Sequence, residues 1–418
     1  MTTVGRACPF ASRRGLLAAT AGLAGAIVSR STRADIAPAP EQIPFHGAHQ
    51  AGILTPQQSH VYFAAFDVTT PHRDALIALL RGWTEAAERL TTGKTAAPLG
   101  ADLSQPGADS GEVLGLGAAR LTLTFGFGPG MFERNGADRF GLAAFRPAAL
   151  VDLPRFNGDQ LVPERSGGDL AVQACADDPQ VAFHAVRQLA RLAYGTAQLR
   201  WVQAGFLPRT PAGETPRNLM GFKDGTNNPA GDDAAATVWA GAEAPSWLQG
   251  GSYLVARRIR IALEHWDRTE VDFQEQTMGR RKYSGAPLGA NHEFDPLPLS
   301  GTDADGNPVI AENAHVRLGA AASTDGARIL RRGYAYDDGV SITAERWPPW
   351  RQGLEYDAGL FFLAYQRDPR TGFIRIFETM AKLDALNQFT THTGSALFAC
   401  PRGVKAGEFI GEALFATG

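Results

Sequence analysis

Hydrophobic and polar positions follow two different periodicities along the chain, one that predicts strands and one that predicts helices. Residues 60–68 and 119–128 predict strands, because apolar and polar side chains alternate there. Residues 71–90 and 178–195 predict helices, because apolar side chains recur at helical spacing, and Gly195 ends the second helix. The first half therefore predicts the order strand, helix, strand, helix.

The second half of the chain repeats this order. Residues 251–261 and 359–368 predict strands, and residues 264–279 and 373–392 predict helices. Between them, residues 280–312 are rich in turn-forming residues and predict a long loop. Two successive sets of this kind predict an α+β protein with two domains and similar antiparallel sheets.

Breaks in the periodic pattern suggest where the domains begin and end. We expect a proline-rich linker at residues 35–45, an N-terminal domain at 46–220 and a C-terminal domain at 221–418. The boundary falls within residues 215–225, which show no clear periodicity. Functional sites often form at such junctions.

The N-terminus has the pattern of an export signal. Arg13 and Arg14 precede a mildly apolar run at residues 15–28, which is too short for a comfortable membrane span. Paired arginines before such a run are typical of a twin-arginine signal, with an ordinary secretory signal or a disordered tail as alternatives. We expect residues 1–34 to be this signal, and the protein to be periplasmic or extracytoplasmic. The rest of the sequence predicts no membrane span.

The composition of the chain limits the kinds of molecule that we expect the protein to bind. The 418 residues include 40 Lys plus Arg and 43 Asp plus Glu, so no basic excess points to nucleic acid. Cys8, Cys175 and Cys400 form neither a zinc motif nor a disulfide framework. We expect Cys175 and Cys400 to be buried free thiols, with a bridge between them as the alternative.

Three features carry candidate chemistry. The stretch GFKDGTNNP at residues 221–229 is a turn, in which Asp224 either caps the backbone or acts chemically. His315 follows the long loop and is either structural or an axial ligand of haem iron. Arg331 and Arg332 lie in an apolar setting, so we expect each to meet an anion. That anion is either a carboxylate or a bound group such as a haem propionate or peroxide.

Several ordered blocks of the sequence resemble the dye-decolourising (DyP-type) haem peroxidases, in particular the exported branch that includes deferrochelatase/peroxidase proteins of bacterial iron uptake. The resemblance covers nearly the whole chain after the signal. Its blocks are HGAHQAGILTPQQSHVYFAAFDV (46–68), GFKDGTNNP (221–229), GGSYLVARRIRIALEHWDRT (250–269), SGAPLG (284–289), AHVRLG (314–319), LRRGY (330–334) and HTGSALFACP (392–401).

The resemblance implies two ferredoxin-like α+β domains of the dimeric α+β barrel type, with one haem b in the second domain. It implies that hydrogen peroxide oxidises the haem iron and that organic donors such as dyes or phenols restore it. Release of iron from haem in an iron-uptake system is the alternative activity. Homo-oligomers and contacts with components of an iron-uptake transporter are left open.

The resemblance also assigns roles to individual residues. Asp224 corresponds to the distal acid, Arg331 to the distal arginine and His315 to the proximal iron ligand. Further cofactor contacts are implied for Arg317, at a propionate, and for the segment beside the haem edge, namely Gly225, Thr226 and Asn227.

These roles agree with elementary chemistry. A carboxylate above the iron can move a proton between the two peroxide oxygens, and a guanidinium beside it stabilises the developing negative charge. A histidine that donates its other N–H to an acceptor becomes a more basic ligand. The sequence leaves this acceptor open among Gln388, Glu378 and Asp384.

Bulky donors require electron transfer to the surface, because they cannot enter a small peroxide pocket. The aromatic residues considered for this transfer are Trp239, Trp247, Trp266, Trp347, Trp350 and Tyr334. We expect most of them simply to pack the core.

Overall fold

A computed structural model describes residues 41–102, 104–211, 213–344 and 352–416. The predicted signal at 1–34 and most of the predicted linker lie outside the described residues, as do Trp347 and Trp350.

The N-terminal half contains two long helices between strands. In chain order the elements are β1 (His60–Val68), α1 (Arg73–Leu90), β2 (Thr122–Phe127), β3 (Glu133–Arg134), β4 (Ala137–Asp138), β5 (Leu170–Ala176), α2 (Pro179–Leu192) and β6 (Ala197–Phe206). Asp178 begins α2, because its side chain accepts hydrogen bonds from the backbone N–H groups of Gln180 and Val181.

The C-terminal half has the same plan with more irregular insertions. Its elements are α3 (Gly231–Val238), β7 (Ser252–Ile261), α4 (Leu263–Asp267), α5 (Val271–Met278), α6 (His315–Leu318), β8 (Leu330–Arg331), β9 (Tyr334–Ala344), β10 (Gln352–Gln366), α7 (Phe373–Leu383), β11 (Thr390–Cys400) and α8 (Glu412–Ala416). Short 3₁₀ turns at Pro129–Met131, Ala143–Phe145, Pro163–Arg165, Ser246–Leu248, Ala321–Ser323 and Ala385–Gln388 connect these elements.

Each half forms a four-stranded antiparallel sheet, and the two sheets close into one barrel. The strand order is β7-β11-β2-β5-β1-β6-β9-β10, and β10 also pairs with β7, which closes the ring. Within each half the strand order and the helix crossovers are those of a ferredoxin-like fold. The predicted α+β class with two ferredoxin-like domains is confirmed.

The barrel interior and the outer helices form separate apolar cores. Phe63, Phe361 and Phe398 meet inside the barrel, where side chains of β1, β10 and β11 converge. On the opposite face of β1, Phe66 packs against Trp83 of α1. This alternation follows from the two-residue period of a strand.

Two predicted helices are wrong in extent. The predicted helix at 264–279 is divided into α4 and α5, because the side chain of Gln274 donates to the carbonyls of Trp266 and Thr269 and stabilises the break. The predicted helix at 373–392 ends at Leu383. Asp384 leaves helical geometry there, and the chain continues into strand β11.

The other local predictions hold. The four predicted strands are present, and the segment between α5 and α6 is a long loop without a regular helix or strand in the described residues. Cys175 and Cys400 are buried free thiols, as expected. No helix in the described part of the chain has the length and apolar character needed to cross a membrane.

Gly279 sets the distance between α5 and α6. It ends α5 in the left-handed region, with φ of +79°. A Cβ atom at this position would lie 2.5 Å from Val316 Cγ2 and 3.0 Å from Ile310 Cγ2. The close approach of α6, which begins at His315, therefore requires glycine here.

We expect Gly279→Ala to lower the free energy of unfolding by about 2–5 kcal/mol, because left-handed strain adds to overpacking. Gly306→Ala is the matched control, since Gly306 has φ of +85° but has no atom within 4 Å of the added Cβ. The control is expected to lose about 1–2 kcal/mol. Urea unfolding of both variants measures the difference, and equal losses would show that the approach of α6 is not tight.

Candidate active site

A narrow turn holds Asp224. Arg217 and Lys223 pair across this turn, and the Asp224 N–H donates to the carbonyl of Pro216 at 2.8 Å. Gly225 follows with φ of +122°, a conformation that side chains rarely adopt. The backbone therefore changes direction immediately after the carboxylate.

Asn228 joins this turn to β8. Its side-chain nitrogen donates to the carbonyl of Arg331 at 2.6 Å, and its side-chain oxygen accepts from the Arg331 N–H at 3.0 Å. The sequence predicts no role for Asn228 beyond the turn. No local pattern could have revealed it, because its partner lies 103 residues away.

Asp224 and Arg331 form an ion pair. Arg331 Nη1 donates to Asp224 Oδ1 at 2.8 Å, and the two side chains are 29% and 32% exposed, in the order Asp224 and Arg331. Arg331 therefore meets a carboxylate, one of the two kinds of partner expected. Because a third of each side chain remains exposed, the pair is accessible to a small molecule.

Arg332 is also expected to meet an anion, but its partners are different. Its guanidinium is buried and donates to the carbonyl of Thr55 and to Gln58 Oε1, which are neutral acceptors. The prediction that both arginines meet an anion is therefore wrong for Arg332. Neutral oxygens from the N-terminal half compensate its burial instead.

His315 and Asp384 form the second polar pair of the site. His315 begins the short helix α6, and its Nδ1 lies 2.7 Å from Asp384 Oδ2. The other oxygen of Asp384 accepts from the Leu386 N–H at 2.8 Å, which fixes the carboxylate. This contact places the ring proton on Nδ1 and leaves the Nε2 lone pair available to a metal.

The charge of Asp384 governs the protonation of His315. Burial lowers the pKa of His315, but the charge of Asp384 and its hydrogen bond outweigh burial and raise the pKa above the ordinary value. The charges of Arg331 and Asp224 also reach the ring, the first lowering its pKa and the second raising it. The charges of the Asp224 and Arg331 pair therefore act on the His315 ring, whose side chain is 32% exposed.

The structure selects among the three acceptors left open for His315. Asp384 makes the contact. Gln388 instead donates to the carbonyl of Ala385, and Glu378 is exposed on α7. The acceptor is therefore anionic.

The remaining predicted cofactor contacts lie around the turn and the long loop. Thr226 donates to Glu293 Oε1 at 3.0 Å, and Lys223 also pairs with Glu293. Asn227 is exposed beside them. Burial raises the pKa of Glu293, but hydrogen bonds from Lys223 and Thr226 outweigh it and lower the pKa. The long loop is thus fastened to the turn that carries Asp224.

Arg317 holds the same loop from the other side. Its Nε donates to the carbonyl of Ile310 at 2.9 Å, and its Nη2 donates to the carbonyl of Leu299 at 2.8 Å. A propionate contact of Arg317 stays a prediction. Together these bonds link the histidine helix to the loop that precedes it.

The described aromatic candidates for electron transfer are mostly core residues. Trp247, Trp266 and Tyr334 are buried. Trp239 is partly exposed, and its ring stacks on His49 with centroids 3.8 Å apart.

Comparisons with known proteins agree with this geometry. Residues 50–207 match the family model described as "Dyp-type peroxidase, N-terminal", and residues 215–405 match "Dyp-type peroxidase, C-terminal". A dye-decolorizing peroxidase of Thermobifida fusca (strain YX) is 40% identical, over 88% of this chain and 84% of the relative. A deferrochelatase of Escherichia coli (strain K12) is 36% identical, over 90% and 87%.

Solved structures show the same similarity. A DyP-type peroxidase from Streptomyces coelicolor is 39% identical with a TM-score of 0.79, over 90% of this chain and 97% of that one. A DyP-type peroxidase from Cellulomonas bogoriensis is 40% identical with a TM-score of 0.78, over 89% and 98%.

The fold and the site define a haem-dependent peroxidase with haem as its cofactor. The chain belongs to the Dyp-type peroxidase family. The residues present fit the cofactor, because one ring nitrogen of His315 is anchored and the other has no hydrogen-bond partner in the described part of the chain. The ion pair of Asp224 and Arg331 acts on the same ring through its charges and remains accessible.

We expect Asp384→Asn to raise the reduction potential of the haem-loaded protein by on the order of tens of millivolts, because His315, the predicted haem ligand, loses an anionic acceptor. Asparagine keeps the shape and an acceptor oxygen, so haem content should change little. Spectroelectrochemical titration measures the potential, and Glu378→Gln on exposed α7 is the control. An unchanged potential in Asp384→Asn would mean that the contact with His315 does not tune the iron.

Proposed function

We propose that Asp224 and Arg331 would perform the proton transfer and charge stabilisation of peroxide reduction at a haem held by His315. The observation that carries this proposal is the accessible ion pair of Asp224 and Arg331, whose two charges both reach the ring of His315. A carboxylate and a guanidinium on one side and a free histidine nitrogen on the other supply the groups that the reaction needs.

His315 would hold the haem through Nε2, since Nδ1 is engaged with Asp384. The bound haem b, one per chain, supplies the two electrons that cleave the O–O bond of hydrogen peroxide. Asp384 keeps the ring oriented and electron-rich.

Asp224 would accept the proton from one peroxide oxygen and return it to the other oxygen, which leaves as water. Arg331 holds Asp224 in place through the 2.8 Å contact and stabilises the negative charge that develops on the leaving oxygen. Asn228 positions both groups, because it fixes the backbone of Arg331 against the turn of Asp224.

Organic donors such as dyes and phenols would then return two electrons, one at a time. Among the described candidates, Trp239 has surface that a bulky donor can reach, whereas Trp247, Trp266 and Tyr334 are buried. We therefore assign Trp239 as the surface residue for donors that cannot reach Asp224. Gly225, Thr226, Asn227 and Arg317 are proposed to contact the haem periphery.

We expect Asp224→Asn to slow the reaction with peroxide by about 10²–10⁴-fold, because the proton carrier is lost. Arg331→Ala is expected to slow it by about 10²–10³-fold with less effect on haem content. Stopped-flow mixing with peroxide at several pH values measures both. Asp232→Asn, on the exposed first turn of α3, is the control. Wild-type rates in Asp224→Asn across the acidic range would remove Asp224 from the mechanism.

Release of iron from haem is a second candidate function, favoured by the relatives named deferrochelatase at 36–37% identity. Both functions need the haem ligand, so the variant His315→Ala does not distinguish peroxide reduction from iron release. The variant Asp224→Asn distinguishes them, because iron release does not need rapid peroxide cleavage. Accumulation of iron-free porphyrin by Asp224→Asn at the wild-type rate would support this second function.

We further propose that residues 1–34 direct export by the twin-arginine route. Replacing Arg13 and Arg14 with Lys should retain the protein inside the cell, because this route reads the paired arginines. Fractionation of a bacterial host, with a cytoplasmic and a periplasmic marker, measures the distribution. Undiminished periplasmic protein in the double variant would contradict the route.

From the family resemblance we also propose a homo-oligomer and contacts with components of an iron-uptake transporter.

A further inference from the structure

A cluster of metal-ligand side chains lies in the N-terminal half, apart from the peroxidase site. Asp109, Glu112 and His184 each offer one ligand atom, and these atoms lie within 4.8 Å of one another. Asp109 and Glu112 belong to the connection between α1 and β2, and His184 lies on α2. The cluster therefore joins an irregular segment to a regular helix.

The cluster is buried, unlike a solvated group of acids. His184 and Asp109 have side chains that are 1% and 0% exposed, and Glu112 is 19% exposed. Two carboxylates beside one imidazole need a positive charge at this depth. Arg187 reaches Glu112 Oε1 at 3.1 Å, but its own side chain is about half exposed.

Hydrogen bonds orient Asp109. Its Oδ2 accepts from the Ala96 N–H at 2.8 Å, and its Oδ1 accepts from the Gly111 N–H at 2.7 Å. Each oxygen retains a further lone pair. The carboxylate is therefore held in place before any ion binds.

Two polar atoms of the cluster have no hydrogen-bond partner among the described residues. They are His184 Nε2 and Glu112 Oε2. Such orphaned atoms are costly in a protein interior and call for an explanation, of which an ion is one kind.

The other ring nitrogen of His184 has two polar neighbours. His184 Nδ1 lies 3.1 Å from Glu112 Oε1 and accepts from Gln188 Nε2 at 3.4 Å. The contact with Glu112, like the contact of Asp109 with Nε2, is not aligned as a hydrogen bond. Both carboxylates are therefore placed to act as ligands.

The spacing of Asp109 and His184 suits two ligands of one metal ion. Asp109 Oδ2 is 3.3 Å from Nε2, and the pair is not aligned as a hydrogen bond. Two ligands of one tetrahedral Zn²⁺ lie about 3.4 Å apart, with neither pointing at the other.

We propose that Asp109, Glu112 and His184 bind one Zn²⁺ ion, through one carboxylate oxygen each of Asp109 and Glu112 and one ring nitrogen of His184. Water completes the coordination. The mixed nitrogen and oxygen donors suit zinc, and the ion fastens the connection between α1 and β2 to α2. Its role is structural, because none of its ligands belongs to the peroxidase site.

Zinc binding is tested on the haem-loaded full chain without a histidine tag, after chelator treatment. Wild type is expected to bind one Zn²⁺ per chain by calorimetric titration and elemental analysis, with an unchanged Soret band. Glu112→Gln and His184→Gln are expected to weaken binding by about 100-fold or more, because each removes a ligand. His60→Gln, at a half-buried histidine of β1, should bind as wild type does.

Thermal unfolding supplies a second readout. Saturating Zn²⁺ should raise the melting temperature of wild type and of His60→Gln but not that of Glu112→Gln, since ligands of the folded state stabilise it. Because Glu112 is partly exposed, its variant remains informative if His184→Gln does not fold. If wild type takes up no more zinc than Glu112→Gln, the proposal is overturned.

Discussion

The hydrogen bond between His315 and Asp384 is the contact on which the haem site depends. Helix α6 has only four residues and could not fix a side chain by itself. Asp384 lies where α7 ends, and its second oxygen is held by the next turn. The adjoining N–H of Ala385 donates to the carbonyl of Asn313 at 3.0 Å. The ligand is thus positioned by a helix end that packs on the barrel.

The Asp224 and Arg331 pair is also positioned by one polar side chain, which joins an irregular segment to a strand. Asn228 binds both backbone groups of Arg331, and Arg331 itself pairs with Ala364 of β10. These hydrogen bonds hold the turn of Asp224 rigidly against the sheet. Neither Asp224 nor Arg331 relies on a long flexible loop for its position.

Local periodicity accounts for what the sequence could predict. The alternation in β1 and the helical spacing in α1 are properties of adjacent residues, so both elements were found. The break between α4 and α5 depends on the side chain of Gln274, and the choice of Asp384 over Gln388 depends on a partner 69 residues away. Asp224, Arg331 and His315 were recognised through family resemblance, because spacing alone could not bring them together. Their roles stay predictions that mutation can test.

The sheets of the two halves meet at two places in the barrel, which we call seams. β2 meets β11 through the single pair Phe127 and Ala399, and β6 meets β9 through Phe206 and Ala335. Within each half, by contrast, the ladders are long. A sheet parts most easily where its ladder is shortest, so we expect thermal opening to begin at the seams. Asp224, His315, Arg331 and Asp384 all belong to the C-terminal half, so opening at a seam would leave the contacts among them in place.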